Sequence, residues 1–264
     1  MKNVVSEIYS SNYFLQSCDG YDLWKKSYGK ELVPRLKQAL KIAKLNKGEK
    51  VLDFGCGRGE IVVQSALAGC EAVGVDYSPE AIALTKKTLA KNKLKTNTLL
   101  IKEEKLPFKE NSFDVVFFLD VAEHLTDKEL INSFKEIRRV LKENGRLIIH
   151  TSPNKDWIDI GYKYYTRWAN FIASKLLWEP FFKTKLLYQE NPRTEWERKV
   201  HINEQTIKSL DKALREAGFN DNNLWLDSKF RIISKGFLFQ YIFLQPIWLL
   251  FLNKYFASDI WGVV

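Results

Sequence analysis

The chain has 264 residues, of which 45% are hydrophobic and 14% aromatic, so it can bury a sizeable core and is not a disordered chain. Its net charge of +9 favours anionic partners such as nucleic acid, acidic lipid headgroups or phosphorylated substrates, although lysines spread over helical faces serve solubility equally well. The first residues, MKNVVSEIYSSNYF, lack the long apolar stretch of a signal peptide. Cys18, Cys56 and Cys70 are odd in number and follow no metal-ligand spacing, so we expect a cytoplasmic protein without a metal site.

Strands and helices alternate from residue 31 onwards. The predicted strands are the apolar runs VLDF (51–54), EAVGVD (71–76), TNTLLIK (96–102), FDVVFFLD (113–120) and RLIIHTS (146–152). The predicted helices cover residues 31–45, 61–69, 78–92, 127–145 and 203–219. Ser78 and Pro79 form a typical helix start, while Gly69 and Gly145 are expected to end helices. Because near-continuous apolar strands that alternate with helices are typical of a covered parallel sheet, we predict a doubly wound α/β fold.

Two segments interrupt this alternation. Residues 155–200 contain eleven aromatic residues interleaved with lysine and arginine, and a connection of this length is usually functional, so we predict a helical lid over a pocket. Residues 236–253, GFLFQYIFLQPIWLLFLN, carry no charge and lie between a predicted strand, LWLDSKF, and the terminal run DIWGVV.

The turn after the first strand, VLDFGCGRGE, has glycines at positions 55, 57 and 59. A dinucleotide site requires G-x-G-x-x-G, but Glu60 occupies the position of the third glycine and would face a pyrophosphate. A phosphate loop would need a lysine followed by serine or threonine, which IVVQ does not supply. Asp76, at the end of the second strand, is placed to accept hydrogen bonds from ribose hydroxyls. The pattern therefore favours a nucleoside without phosphates, and a tight turn without a ligand is the alternative.

Four motifs resemble those of the class I S-adenosylmethionine-dependent methyltransferases, in the small-molecule branch that includes ubiquinone and menaquinone biosynthesis methyltransferases. They are VLDFGCGRGE, VGVDYSPEAI, LPFKENSFDVVFFLDVAEHL and LKENGRLIIHTSPN, within residues 48–154. The resemblance implies a Rossmann-like seven-stranded sheet whose last strand is antiparallel, which suits DIWGVV. The implied organisation is an N-terminal helical lead-in (1–47), a cofactor-binding core (48–154), the lid (155–200), and a C-terminal part (201–264) that contains the hydrophobic insertion.

The resemblance also implies residue roles in binding S-adenosyl-L-methionine. The glycine turn, Gly55, Gly57 and Gly59, would pass under the methionine moiety, Asp53 would help hold its amino group, and Asp76 would bind the ribose. Relatives have Asp-Ala-Glu where this chain has Lys102-Glu103-Glu104, so Glu103 is the candidate for adenine recognition. The remaining predicted cofactor residues are Cys56, Tyr77, Glu104, Asp120 and Val121. For Asp120, a helix-capping role is the alternative.

Three histidines are candidates for acid–base chemistry. His124 follows the fourth strand, where relatives place residues near the transferred methyl group, and imidazole has a suitable pKa for removing a hydroxyl proton. A structural Glu-His pair at this turn is the alternative. His201 follows the lid and is the second catalytic candidate, whereas His150 ends the fifth strand and is interpreted as structural.

The acceptor is expected to be a small molecule of lipid-like character, with O-methylation favoured. DVAEHL lacks the Asn- or Asp-Pro-Pro-aromatic run of base-amine methyltransferases, so a nucleic-acid methyltransferase is an alternative, as is a non-catalytic S-adenosylmethionine-binding protein. Pro246 and two glutamines interrupt the uncharged segment, so we interpret it as a flap that lies on the inner face of the membrane or shields the acceptor. Packing against the sheet is the alternative.

Overall fold

A single mixed sheet organises the chain. The computed structural model describes residues 13–14, 19–101, 105–172, 175, 179, 191–227 and 253–264. Within these residues the sheet has seven strands in the order β3-β2-β1-β4-β5-β7-β6. Strands β1 to β5 pair in parallel, and β7 lies antiparallel between β5 and β6. This architecture confirms the predicted doubly wound α/β fold and its antiparallel last strand.

The strands are β1 Lys50–Phe54, β2 Glu71–Asp76, β3 Asn97–Leu100, β4 Phe113–Leu119, β5 Leu141–Thr151, β6 Asn223–Asp227 and β7 Asp259–Val263. The helices around them are α1 Tyr21–Ser27, α2 Pro34–Ala43, α3 Glu60–Leu67, α4 Pro79–Lys91, α5 Asp127–Val140, α6 Arg167–Ile172, α7 Glu195–Val200, α8 Ile207–Glu216 and α9 Asn253–Phe256. A 3-10 turn, Ala122–His124, follows β4, and a wide π-helix, Trp157–Thr166, leads directly into α6.

Local sequence signals account for several of these boundaries. Ser78 precedes α4 and its hydroxyl accepts a hydrogen bond from the Ala81 amide, as expected of an N-cap. Thr126 and Glu129 form a reciprocal capping box at the start of α5. Gly69, just after α3, has a φ of 84°, a conformation that other residues rarely adopt.

The hydrophobic core lies on both faces of the sheet because neighbouring strand residues point to opposite sides. Leu52 and Phe118 belong to the cluster on one face, where α5 and α8 pack. Val51, Phe117 and Trp261 belong to the cluster on the other face. Since both faces of the central strands are covered, their runs are apolar throughout, and this is the signal that made them predictable.

One predicted boundary is wrong. We expected the helix after β4 to continue to Gly145, but α5 ends at Val140 and Leu141 already begins β5. Leu141 pairs with Phe113 of β4, and it is only 6% exposed. Burial of this leucine in the sheet outweighs the helical preference of the local sequence.

The direction in which successive strands are added to the sheet reverses between β1 and β4. Strands β2 and β3 extend the sheet on one side of this pair, and β5 extends it on the other. In open α/β sheets, ligands bind beyond the carboxyl ends of the strands at such a switch point. The glycine turn follows β1, and Asp120 follows β4, so both lie at this position. No helix in the described part of the chain has the length and apolar character needed to cross a bilayer, and residues 236–252 of the uncharged segment lie outside that part.

Candidate functional site

The glycine turn after β1 requires its glycines. Gly55, Gly57 and Gly59 have φ values of 81°, 50° and 82°. A Cβ atom on Gly55 would lie 2.5 Å from Cγ2 of Val121, so the turn also approaches the end of β4 closely. Gly59 caps the start of α3 and does not line the cavity described below. The turn therefore brings bare backbone to the switch point, as a ligand-binding turn does.

Asp76 lies beside the turn at the end of β2. Its carboxylate accepts hydrogen bonds from the Gly57 amide at 3.0 Å and the Ser78 amide at 2.9 Å. Burial raises the pKa of Asp76 to about 6, although backbone N–H groups of Ser78, Gly57 and Tyr77 oppose the rise. Because a carboxylate has about four acceptor positions, the side chain retains capacity for ligand hydroxyls.

Acidic side chains surround the turn on the sheet side. Asp53 is 4% exposed, and its pKa lies well above the usual range because of burial and the neighbouring carboxyl groups of Glu60 and Asp76. A ligand that carries an ammonium group and hydroxyls would relieve this repulsion, whereas a pyrophosphate would increase it. These carboxyl groups thus suit a cationic ligand without phosphates, as S-adenosylmethionine is.

A cavity of about 1010 Å³ connects this turn to the end of β4 and to α7. Its walls contain most of the predicted site residues: Asp53, Gly55, Cys56, Gly57, Asp76, Tyr77, Asp120, Val121, His124 and His201. Glu103 and Glu104 lie outside the described residues, so their roles remain predictions. The cavity is large enough for a nucleoside cofactor together with a small acceptor.

Asp120 is held by two cationic groups. Its carboxylate lies 2.5 Å from Nη1 of Arg35 and 2.5 Å from Nδ1 of His150. Although burial opposes ionisation, Arg35 and His150 lower the pKa of Asp120 below its usual range. Its side chain does not cap the 3-10 turn that follows, whose N-cap is Val121. The structure therefore differs from the helix-capping alternative, and Asp120 lies in the cavity wall as an ionised, oriented carboxylate.

His150 lies in the core behind this carboxylate. It is 1% exposed, its Nε2 is 3.6 Å from Asp259, and its ring centroid is 4.4 Å from that of Trp261. Burial lowers the pKa of His150, but Asp120 and Asp259 outweigh it and raise the pKa to about 9. His150 is not among the residues that line the cavity.

His124 and His201 meet in the wall of the cavity. Their ring centroids are 4.9 Å apart, although the two residues are separated by 77 positions in the sequence. Nδ1 of His124 lies 3.2 Å from the Val200 carbonyl oxygen. A carbonyl can only accept, so Nδ1 carries the proton and Nε2 keeps its lone pair. Burial, assisted by the neighbouring His201, lowers the pKa of His124 to about 4, which leaves the ring neutral near pH 7.

Glu123 lies beside these histidines in the cavity wall and was not among the predicted site residues. It is 1% exposed and accepts a hydrogen bond from the Thr151 hydroxyl at 2.7 Å. Burial, and then Asp120, raise the pKa of Glu123 to about 8. Ligand atoms of Glu123, His124 and His201 all lie within 4.8 Å of one another, and two imidazoles with one carboxylate could hold a divalent cation. The sequence indicated no such set because His201 is distant along the chain.

Arg58 and Phe14 also went unrecognised in the sequence. Arg58, inside the glycine turn, donates to the backbone carbonyls of Phe14 and Asp19. Phe14 is 6% exposed and, with Tyr13, lines the cavity. Residues 13–14 and 19–23 are here called the N-terminal segment. No local pattern indicated that this segment reaches the turn, since the contact spans 44 positions.

Comparison with known proteins agrees with this geometry. Residues 52–149 match the family model described as "Methyltransferase domain". The chain is 32% identical over 141 residues to a ubiquinone biosynthesis O-methyltransferase of Pelagibacter ubique, covering 52% of this chain and 57% of that protein. It is 27% identical over 188 residues to a demethylmenaquinone methyltransferase of Staphylococcus aureus, covering 69% of this chain and 73% of that protein. The chain spans about half the length of the first ubiquinone biosynthesis relatives, at 57%, 48% and 49%.

The fold is also similar to solved structures. A SAM-dependent methyltransferase from Archaeoglobus fulgidus superposes with a TM-score of 0.55 at 18% identity, covering 93% of this chain and 99% of that chain. Residues 52–149 thus match a methyltransferase domain, and the sheet order and the solved structure show the fold of class I S-adenosylmethionine-dependent methyltransferases.

Proposed function

We propose that this chain transfers a methyl group from S-adenosylmethionine to a hydroxyl group of a small, lipid-like acceptor. The observation that carries the proposal is a single cavity lined by two chemically different sets of residues. One set is the glycine turn with Asp53 and Asp76, which suit a cationic nucleoside, and the other is Glu123, His124 and His201. A site of this kind can hold donor and acceptor side by side, and such positioning supplies much of the rate enhancement in group transfer.

The cofactor, when bound, supplies a methyl group on a sulfonium and leaves as a neutral thioether. Asp76 would hold the ribose hydroxyls, Asp53 the amino group, and Asp120 and Val121 would border the sulfonium side. The chain's remaining task is to accept the proton that the acceptor hydroxyl loses when its oxygen forms the new C–O bond. Nε2 of His124 is suited to this task because the Val200 carbonyl fixes the proton on Nδ1.

Relatives support the class of acceptor. The names of two matched proteins refer to ubiquinone biosynthesis and to demethylmenaquinone, which supports a hydroxyl-bearing, quinol-like acceptor over a nucleic acid. A polyprenyl-linked sugar is a second acceptor of the same apolar character. The aromatic residues of the cavity lining, including Trp196 and the partly buried Tyr77, favour a ring or chain over a polar polymer.

Formation of S-adenosylhomocysteine over time, with S-adenosylmethionine and a cell lipid extract, tests the proposal. We expect the wild-type chain to form it and Asp76→Ala to bind cofactor more weakly. We expect His124→Ala to bind cofactor normally and to turn over about 10²–10⁴-fold more slowly. Wild-type activity equal to that of Asp76→Ala would favour the non-catalytic binding protein. Loss of wild-type activity in EDTA would assign Glu123, His124 and His201 to a metal ion instead of proton removal.

An exposed aromatic surface supports contact with a membrane. The helix Trp157–Thr166 buries Ile158, Gly161, Tyr162 and Thr166, whereas other side chains of this helix and of α6 are exposed. These exposed side chains, here called the aromatic face, are those of Ile160, Tyr164, Tyr165, Trp168, Phe171 and Ile172, which are 41% to 67% exposed. Lys163 and Arg167 lie over two of its rings. Aromatic and basic side chains together suit the anionic headgroup region of a bilayer.

Flotation with vesicles tests this contact. We expect the wild-type chain to float with vesicles of phosphatidylcholine and phosphatidylglycerol and Trp168→Glu to float less. Leu67→Glu is a matched control, because Leu67 is 52% exposed on α3 outside the aromatic face. Equal flotation of both variants would contradict the assignment of this face. If Phe243→Glu with Trp248→Glu alone abolished flotation, the predicted segment 236–253 would be the membrane contact instead.

A further inference from the structure

Arg58 places a buried guanidinium within the glycine turn. The residue is 6% exposed. Its Nε donates to Oε1 of Glu60 at 2.9 Å, Nη1 donates to the Phe14 carbonyl at 3.1 Å, and Nη2 donates to the Asp19 carbonyl at 2.6 Å. Two of these acceptors belong to backbone 39 and 44 positions earlier in the chain. The guanidinium therefore connects the glycine turn with the N-terminal segment.

A buried cation at this position needs an explanation beyond the shape of the turn. Burial of a charge is costly unless the group is paired and hydrogen-bonded. Glu60, 8% exposed at the start of α3, supplies the pairing carboxylate. The turn itself needs its glycines but no guanidinium between them, so the arginine serves the contact with the N-terminal segment.

This segment forms the wall of the cavity that lies over the turn. Tyr13, Phe14 and residues 19–23 line the cavity. Phe14 packs in a small cluster with Ala81 of α4 and Val200 of α7, and a Cβ on Gly57 would lie 3.8 Å from its ring. The segment thus lies against the glycine turn, α4 and α7.

Gly20 fixes the path of the backbone beside the guanidinium. It has a φ of 84°, and a Cβ there would lie 2.5 Å from Cγ1 of Val33 and 3.7 Å from Nη2 of Arg58. Gly20 also precedes α1, and its carbonyl accepts the amide of Trp24. The position of α1 and the contact with Arg58 are consequently linked through a few residues of chain.

We infer that Arg58 is a positioning residue that fastens the N-terminal segment over the glycine turn and so controls release of the bound cofactor or its product. Movement of this segment away from the glycine turn breaks the contacts of the guanidinium with the two carbonyls, so these contacts slow the departure of a ligand held between turn and segment. The identity of the ligand rests on the proposed function, whereas the fastening role does not depend on methyl transfer.

Release of S-adenosylhomocysteine, followed by stopped-flow fluorescence, tests this inference. Tryptophan fluorescence reports it, since Trp24 and Trp196 lie in or beside the walls. We expect Arg58→Lys to release the ligand about 10- to 100-fold faster, because a lysine cannot serve both carbonyls and Glu60 together. We expect the association rate to change much less, since the three glycines of the turn and Asp76 are unchanged.

Arg146→Lys is the matched control. Arg146 also donates to two backbone carbonyls, those of Ala43 and Lys44, and pairs with a glutamate, Glu49, but it does not line the cavity. We expect the Arg146→Lys variant to release S-adenosylhomocysteine at a rate within about twofold of wild type. Equal acceleration in both variants would assign the effect to general loss of stability and overturn the inference, as would an unchanged rate in Arg58→Lys.

A second variant approaches the contact from the other side. Phe14→Ala leaves Arg58 and the turn intact and should also accelerate release, and it provides the test if Arg58→Lys fails to fold. Protection of the N-terminal segment from protease by S-adenosylhomocysteine should fall in both variants. If the wild-type chain does not bind S-adenosylhomocysteine, the proposed function fails, whereas binding with unaltered release in both variants contradicts only the role of Arg58.

Discussion

His150 should stabilise the fold in a strongly pH-dependent way. It is fully buried between Asp120 and Asp259, and the two carboxylates outweigh burial and raise its pKa from 6.5 to about 9. A shift of this size corresponds to about 3 kcal/mol in favour of the protonated ring in the folded state. Since the folded pKa is above the unfolded one, this stabilisation is complete below pH 6.5 and is lost as the pH rises through about 9.

Replacement of His150 by glutamine isolates this contribution. Urea unfolding of the wild-type chain and His150→Gln at several pH values gives the difference in free energy of unfolding between them. We expect the difference to be larger by about 3 kcal/mol near pH 6 than near pH 10, because other titrating groups are common to both proteins.

The pH dependence of that difference in free energy shows whether His150 is protonated in the folded protein. A difference that stays constant from acid to alkaline pH would mean that His150 is neutral in the folded protein and contributes only packing against Trp261. A double-mutant cycle with Asp120→Asn should further show coupling between the two residues at neutral pH that falls at alkaline pH. Cofactor affinity measured alongside would show whether the orientation of Asp120 matters to the cavity.

Three further predictions concern the cavity and the helix Trp157–Thr166. Calorimetry should show that Asp76→Ala weakens S-adenosylhomocysteine binding by roughly 1.5–3 kcal/mol per lost hydrogen bond, and that wild-type affinity falls below pH 6, where Asp76 takes up a proton; unchanged affinity would refute the ribose assignment. Because the pKa of His124 is about 4, NMR titration of its ring should show no change of charge between roughly pH 5 and 8, and a midpoint near 6.5 would contradict its buried, neutral state. Gly161→Ala should lower the free energy of unfolding by about 1–3 kcal/mol, because its Cβ would overlap the Tyr255 carbonyl oxygen, and equal thermal stability of the variant would argue against that close packing.

Several site residues could be predicted because their signals are local. Gly55 and Gly57 lie between an apolar strand and a helix, and Asp76 ends the next strand, so the sequence alone placed them at one edge of a parallel sheet. His124 followed from its position after the fourth strand. The structure places all of them in one cavity wall, while their roles in binding and catalysis remain for the experiments above to test.

Contacts between distant parts of the chain were beyond sequence reasoning. Arg58 looks like any residue of the turn, yet its guanidinium binds the carbonyls of Phe14 and Asp19. His150 was interpreted as structural without its partners, and only the fold showed that it orients Asp120. Such pairings leave no periodic pattern, because each depends on where two separate segments meet.

The sequence by itself determined the alternation of strands and helices, the carboxyl-end position of the glycine turn and the absence of features for a phosphate-bearing ligand, since these follow from apolar periodicity, glycine conformation and residue spacing. Only the tertiary structure decided that Leu141 leaves the helical pattern to begin β5 and that β7 enters between β5 and β6. It also decided that Glu123, His124 and His201 lie close together. These outcomes depend on burial and on contacts across the sheet, whose free energy exceeds the local preferences of a few residues.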